Sequence, residues 1–168
     1  MRIFGLAGWS GSGKTTLLTA VIPQLVARGL RVSTIKHAHH EFDIDRPGKD
    51  SWRHREAGAG EVMVASTRRW AIMHELRGAP EPTLEELAAR MSPVDLLLVE
   101  GWKHHPHPKI EVYRPSLGKS LLYPDDPHVV AIASDEAIAA PIPLLPLGDP
   151  STVAAFISDH LGLLPWRS

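Results

Sequence analysis

The stretch Gly8-Trp9-Ser10-Gly11-Ser12-Gly13-Lys14-Thr15 decides the fold of this chain. It fits G-x-x-x-x-G-K-[ST] at every fixed position, the pattern of a phosphate-binding loop. Small residues let the backbone curl, so that successive N–H groups point inward at phosphate oxygens. The helix that follows adds the positive end of its dipole. The context fits on both sides. Arg2–Ala7 is a short apolar run that reads as a strand. From about Gly13 to Arg28, Leu17, Leu18, Val21, Ile22, Leu25 and Val26 give a wide apolar helix face. Gly29 is placed to end that helix, and Pro23 inside it is expected to kink it. In this arrangement Lys14 reaches the β- and γ-phosphates and Thr15 puts its hydroxyl on Mg²⁺. The nucleotide-binding set is therefore Gly8, Trp9, Ser10, Gly11, Ser12, Gly13, Lys14, Thr15 and Thr16. Trp9 fills a free position of the motif; it either packs the loop or contacts a base or partner.

Working outward, Arg31–Lys36 reads as a second strand and 37–50 as a long polar loop. Loops of that length inside a compact domain are usually functional or mobile. A short helix is expected over about Asp50–Ala59, capped by Asp50 or Ser51. Val62–Ser66 and Trp70–Leu76 read as a hairpin around Thr67–Arg69. Gly78–Pro82 is a turn, and Thr83 with Glu86 forms a capping box for a helix to Met91. Val94–Val99 is nearly all apolar, like a strand buried on both faces. Ile110–Tyr113 and Val129–Ala133 follow as strands. Ile142–Leu147 carries Pro143 and Pro146, which restricts it to a sheet edge or an extended loop. Ser151–Leu161 is the last helix, stopped by Gly162. Strands alternate with helices, which predicts an α/β fold of the P-loop NTPase type: a mostly parallel sheet with helices on both faces. Residues 1–168 read as one P-loop nucleotide-binding domain.

Composition narrows the function classes. The 168 residues are 43% apolar and 22% charged, and 18 basic against 19 acidic side chains give a net charge of −1. That balance argues against nucleic acid as a partner, since phosphate neutralisation needs a basic excess. Apolar runs of about four residues are far short of the ~20 of a membrane span. The MRIFGLAG start is too short and glycine-rich for a signal peptide. No cysteine is present, which removes disulfides, thiolate metal sites and cysteine nucleophiles. The expectation is a cytoplasmic protein.

A second element completes the phosphate site. Val94–Val99 runs into Glu100-Gly101. An acid at the carboxyl end of a buried strand is where such a fold holds magnesium, directly or through water. Gly101 lets the backbone turn sharply there. Asp95 begins the strand and would lie far from the loop, so Glu100 is the candidate.

With both motifs in hand, the chain resembles the molybdopterin-guanine dinucleotide biosynthesis protein B family, MobB. The resemblance rests on GWSGSGKTTL (8–17), TIKHAHHEFDIDRPGKDSWRHREAGA (34–59) and LLLVEGWKH (96–104). It implies a GTP-binding, weakly GTP-hydrolysing, dimeric accessory protein of molybdenum-cofactor maturation. Such a protein assists the guanylyltransferase that attaches GMP to molybdopterin. Molybdopterin as a ligand, and molybdopterin-loading and apoenzyme partners, come with the same resemblance. The wider class includes dethiobiotin synthetase and nickel-insertion GTPases. By that likeness Lys36 matches a lysine facing phosphates or substrate, Asp50 an aspartate near magnesium, and Glu100 the strand-end acid. With Thr15, the two carboxylates would suit a water-rich octahedral Mg²⁺. Lys36 is otherwise a surface lysine, and Asp50 otherwise only a helix cap.

Of the ten histidines, six cluster as His37, His39, His40 and His104, His105, His107. Both sets leave the carboxyl ends of expected strands. They read as a concave anion site with Lys36 and Lys103, as polar loop residues capping backbone groups, or as a metal site. The last lacks any fixed zinc spacing. No Asn-Lys-x-Asp is present to read guanine. Asp135, after Val129–Ser134, either accepts from guanine N1–H and N2–H₂ or caps a helix over 136–140. No glutamine is evident to orient a water, so hydrolysis should be slow. An arginine finger would come from Arg46, Arg53, Arg55 or a partner, and loop 37–50 could order on the γ-phosphate. Competing readings are a small-molecule kinase or ligase like dethiobiotin synthetase, and a nickel-type metallochaperone GTPase, which the lack of cysteine weakens.

Overall fold

The computed structural model describes residues 1–38 and 42–163. In chain order its elements are β1 (Arg2–Ala7), α1 (Lys14–Ala27), β2 (Val32–Lys36), α2 (Asp50–Glu56), β3 (Glu61–Ala65), β4 (Trp70–His74), α3 (Leu84–Ala89), β5 (Leu96–Glu100), β6 (Lys109–Tyr113), β7 (Val129–Ser134), β8 (Leu144–Pro146) and α4 (Pro150–Leu161). They fall into two compact units, one built from 1–37 and the chain from Ser92 onward, the other from 38–91. Among the described residues no helix is long and apolar enough to cross a membrane.

The first unit is a six-stranded sheet in the order β2-β5-β1-β6-β7-β8. Every neighbouring pair is parallel, so the parallel α/β expectation holds. β1 lies between β5 and β6, and β5 between β1 and β2. Strands flanked and covered in this way read as continuous apolar runs, and all five residues of β5 are buried. One sheet face is set by the two-residue alternation Phe4/Leu6, Leu96/Leu98, Ile110/Val112 and Ala131/Ala133. Onto it pack Leu17, Val21 and Leu25 of α1 and Val153, Ala154 and Ile157 of α4. Each fully buried Val, Leu, Ile or Phe among them is worth roughly 1.5–3 kcal/mol.

α1 runs as one continuous helix, with Pro23 inside it. Only one backbone hydrogen bond is lost there, and the apolar face continues on either side of the proline. Beyond its end, Gly29 adopts φ +83° and Leu30 N–H reaches back to the Leu25 carbonyl at 3.3 Å, a glycine-terminated stop. The proline-bearing 142–147 run does form an edge: β8 pairs only with β7, in parallel. The alternative helix over 136–140 is absent.

The second unit holds α2, the antiparallel β3–β4 hairpin and α3. Arg55 ties it together, donating to Asp43 at 2.7 Å and Glu75 at 2.9 Å. The expected capping box is present, with Thr83 Oγ1 accepting from Glu86 N–H and Glu86 accepting from Thr83 N–H. The cap of α2 differs from expectation: Lys49 is the N-cap, and Asp50 is the first helical residue. There its charge still favours the positive end of the helix dipole.

Candidate nucleotide site

Parallel sheets bind ligands beyond the carboxyl ends of their strands. The register brings three of those ends together: Leu6 of β1 and Lys36 of β2 both stand opposite Glu100 of β5. The loop Gly8–Gly13 leaves β1 at this point and delivers the chain into α1. Its conformation depends on glycine. Gly8, Gly11 and Gly13 have φ of +140°, +81° and +97°. A Cβ on Gly8 would lie 2.4 Å from the Val112 carbonyl oxygen and 2.8 Å from Ser12 Oγ. The loop therefore runs against β6 with no room for a side chain.

Two details of the loop suit an anion. Gly13 is the N-cap of α1 and supplies no side-chain hydrogen bond, and the first turn carries no acidic residue. The opening N–H groups of α1 are thus left to backbone geometry alone, which is the anion-binding arrangement of a helix start. Ser12 is only 1% exposed, and its hydroxyl has no hydrogen-bond partner among the described residues. A buried hydroxyl normally finds one.

Two of the three expected magnesium ligands, Thr15 and Glu100, are in contact. Thr15 Oγ1 donates to Glu100 Oε1 at 2.9 Å, although the two lie 85 residues apart in sequence. Glu100 is buried. A hydroxyl oxygen beside a carboxylate is a hard-oxygen donor pair of the kind Mg²⁺ takes. Lys14 Nζ donates to the Trp9 carbonyl at 2.9 Å. Burial lowers the Lys14 pKa; Glu100 opposes that shift, while the positive charges of Lys103 and Lys36 add to it. Lys36 and Lys103 thus bring positive charge to Lys14 at the mouth of the loop, and Glu100 brings the opposing negative charge. Asp95, set aside on sequence grounds, is bound at the other end of β5 by Arg31, at 2.9 Å. Asp50 belongs to the second unit.

Trp9 is a packing residue of the loop. Its indole N–H donates to the Ser120 carbonyl at 2.8 Å, and Lys103 Nζ stands 4.5 Å from the ring centroid, within cation–π range. Gly101, at φ +108°, lets the turn after β5 press on His37: a Cβ there would sit 2.8 Å from both Cβ and O of His37. His37 in turn packs on Trp102, with ring centroids 4.8 Å apart.

The second histidine cluster serves the fold. His107 is buried, its Nε2 closing on Gly5, where a Cβ would come within 2.2 Å. Its Nδ1 lies 3.0 Å from His105 Nδ1. Burial, with the charges of Lys109 and His105, pushes the His107 pKa down to about 4. Buried against Gly5, its ring is not an exposed anion ligand. His104 is exposed, and His39 and His40 lie outside the described residues. Among those residues no group of three His, Cys, Asp or Glu could hold a metal ion. The arginine-finger candidate Arg55 is occupied by Asp43 and Glu75.

Sequence reasoning missed two residues. Lys109 is 1% exposed and donates to the carbonyls of Lys103 and His105 at 2.9 and 2.8 Å and to Asp126 Oδ2 at 2.8 Å. All three ammonium protons are spent, and the loop bearing Lys103 is fixed. Read as the flank of an apolar strand, Lys109 gave no signal. Arg114, just past β6, donates from Nε to the Ser12 carbonyl at 3.1 Å and from Nη1 to Asp135. A cation at the carboxyl end of a predicted strand was the available signal.

Comparison with known proteins finds relatives along most of the chain. The family model "MobB: Molybdopterin guanine dinucleotide synthesis protein B" matches residues 3–135. The molybdopterin-guanine dinucleotide biosynthesis adapter protein of Escherichia coli K12 is 46% identical over 95% of this chain and 93% of its own. The protein of the same name from Haemophilus influenzae is 44% identical over 95% of this chain and 89% of its own. A crystal structure of molybdopterin-guanine biosynthesis protein B superposes with a TM-score of 0.74 at 26% identity, covering 94% of this chain and 99% of that one.

Proposed function

The chain belongs to the MobB family, and on that premise we propose that it is a GTP-binding adapter in the assembly of molybdopterin guanine dinucleotide, assisting the guanylyltransferase that joins GMP to molybdopterin. The observation that carries the nucleotide half is the 2.9 Å contact of Thr15 with Glu100 beside Lys14 and an uncapped α1. Loop N–H groups and Lys14 bind the phosphates. Thr15 and Glu100 hold Mg²⁺, which when bound neutralises charge on the phosphate oxygens. Lys36 and Lys103 add positive charge at the rim, where an anionic pterin phosphate would also be drawn. A pocket of about 320 Å³, lined by Ser134–Ala137 and Leu144–Pro146, opens at the ends of β7 and β8. It is offered here as the seat of the base, with Asp135 accepting from guanine.

Hydrolysis is slow in this reading. The sequence holds one glutamine, Gln24, and it lies ten residues into α1, about 15 Å along the axis from the loop. Output therefore comes through protein contact. The hairpin supports a homodimer: Met63, Ile72, Ala65 and Trp70 share one face, and Met63 and Trp70 are 60% and 63% exposed. A two-stranded ribbon is marginal alone and presents open edges; a second copy would supply what it lacks.

Equilibrium titration with GTP and ATP, with and without Mg²⁺, tests the proposal. Guanine preference with magnesium dependence that Thr15→Val removes is the expected result. Equal binding of both nucleotides, or binding indifferent to Mg²⁺, overturns it.

A further inference from the structure

Arg114 is the one described side chain that touches both ends of the candidate nucleotide site. It follows β6, the strand between β1 and β7, so its position places it between the phosphate loop and the turn after β7. Nε donates to the Ser12 carbonyl at 3.1 Å, inside the phosphate loop. Nη1 is paired with Asp135 Oδ2. The guanidinium lies directly behind Gly13, where an added Cβ would stand 3.6 Å from Nε and Nη2. Asp135 and Glu136 belong to the wall of the 320 Å³ pocket at the ends of β7 and β8. Among the described residues no hydrogen bond reaches Asp135 Oδ1.

We propose that Arg114 is the positioning residue for base specificity, holding the Asp135 carboxylate at a fixed distance from the phosphate loop so that its second oxygen reads the purine. The proposal rests on the GTP-binding reading above. Its physical basis is the fork of the guanidinium. Two N–H groups in one rigid plane, one on a loop carbonyl and one on a carboxylate, tie the separation of those acceptors to a covalent length. A lysine ammonium on a flexible stem preserves the charge but not that geometry. An Asp135 held in this way offers an acceptor to guanine N1–H or N2–H₂; adenine presents an acceptor of its own at N1, so the contact discriminates as well as binds. With no Asn-Lys-x-Asp in the sequence, an arginine strut takes over the task of orienting the base-reading acid.

The test compares the full-length wild type, Arg114→Lys, Asp135→Asn and the double variant, with GTP, ATP, xanthosine triphosphate and inorganic tripolyphosphate as ligands. Tripolyphosphate reads the phosphate loop alone. Arg114→Lys should weaken GTP about 10- to 100-fold, the scale of one charge-assisted hydrogen bond, while ATP and tripolyphosphate change less than about threefold. Asp135→Asn should lose the same factor for GTP and gain xanthosine triphosphate, whose 2-oxo group accepts from the new amide. The double variant should lose no more GTP affinity than either single one. Equal weakening of all ligands in Arg114→Lys overturns the proposal and makes Arg114 a support of the loop only. Unchanged guanine preference in Arg114→Lys also overturns it. A wild type that does not prefer GTP over ATP brings down the guanine reading itself, and the two failures are thereby distinguished. Asp135→Asn carries the test should Arg114→Lys fold poorly.

Discussion

Replacing Lys109 by methionine is the substitution whose cost the structure defines most sharply. The ammonium is 1% exposed and gives each of its protons to an acceptor: the Lys103 and His105 carbonyls and Asp126 Oδ2, all within 2.9 Å. Methionine fills a similar volume, so packing changes little. Asp126 is left as a mostly buried carboxylate with only the His128 N–H on it. Burial raises the Asp126 pKa, but the hydrogen bonds from Lys109 and His128 outweigh this and hold it lowered. Breaking a buried pair from one side costs about 3–5 kcal/mol. At ~2–4 °C per kcal/mol for a chain of this size, Tm falls by about 6–20 °C. Urea and thermal denaturation of Lys109→Met, Asp126→Asn and Lys109→Met/Asp126→Leu measure it. Asp126→Asn keeps an acceptor for the ammonium and should cost less. The double variant removes the stranded charge and should recover part of the loss. A loss below about 1 kcal/mol in Lys109→Met would refute the reasoning, because the three hydrogen bonds would then contribute almost nothing net.

Further outcomes follow from other contacts. Gly8→Ala should cost about 3 kcal/mol or more, since strained backbone alone accounts for ~1–3 and its Cβ also meets the Val112 carbonyl oxygen at 2.4 Å. Gly11→Ala, with φ +81° but open space around it, should cost only ~1–2 kcal/mol; equilibrium unfolding separates the two. His107 is held down to about 4 in the fold against 6.5 unfolded, so the unfolded chain binds the proton first. Stability should therefore fall as pH drops from 6.5 to 4 and then level off, by up to ~3 kcal/mol, with a shallower slope in His107→Gln on pH-resolved denaturation. Ile72→Lys, on the exposed ribbon face, should shift the proposed dimer toward monomer in sedimentation equilibrium; a wild-type chain that sediments as a monomer, or a dimer the substitution leaves unchanged, would contradict the hairpin interface.

The sequence was most legible where local and long-range demands coincide. The phosphate loop, the buried β5 and the Thr83 capping box each have a short pattern with one structural solution. The Thr15–Glu100 contact followed because both motifs must end at the same sheet edge. The histidines were harder to place. His107 and His104 have similar neighbours in sequence, and only the space over Gly5 and the Lys109 anchor decide that one is interior and the other exposed. Arg114 and Asp135 lie 21 residues apart with no periodicity linking them; their pairing depends on β6 and β7 being neighbours. The division at 37 and 92 was not legible either. The polar loop read over 37–50 lies at the start of the segment 38–91, but nothing in the composition around Met91 marks its end.

The central claim is that this loop binds a guanine nucleotide with magnesium, and titration of the purified chain with fluorescent GTP, with and without Mg²⁺, for wild type and Lys14→Ala, tests it most directly. The account predicts magnesium-dependent GTP binding that Lys14→Ala abolishes. Binding that survives Lys14→Ala, or a preference for ATP, would contradict it.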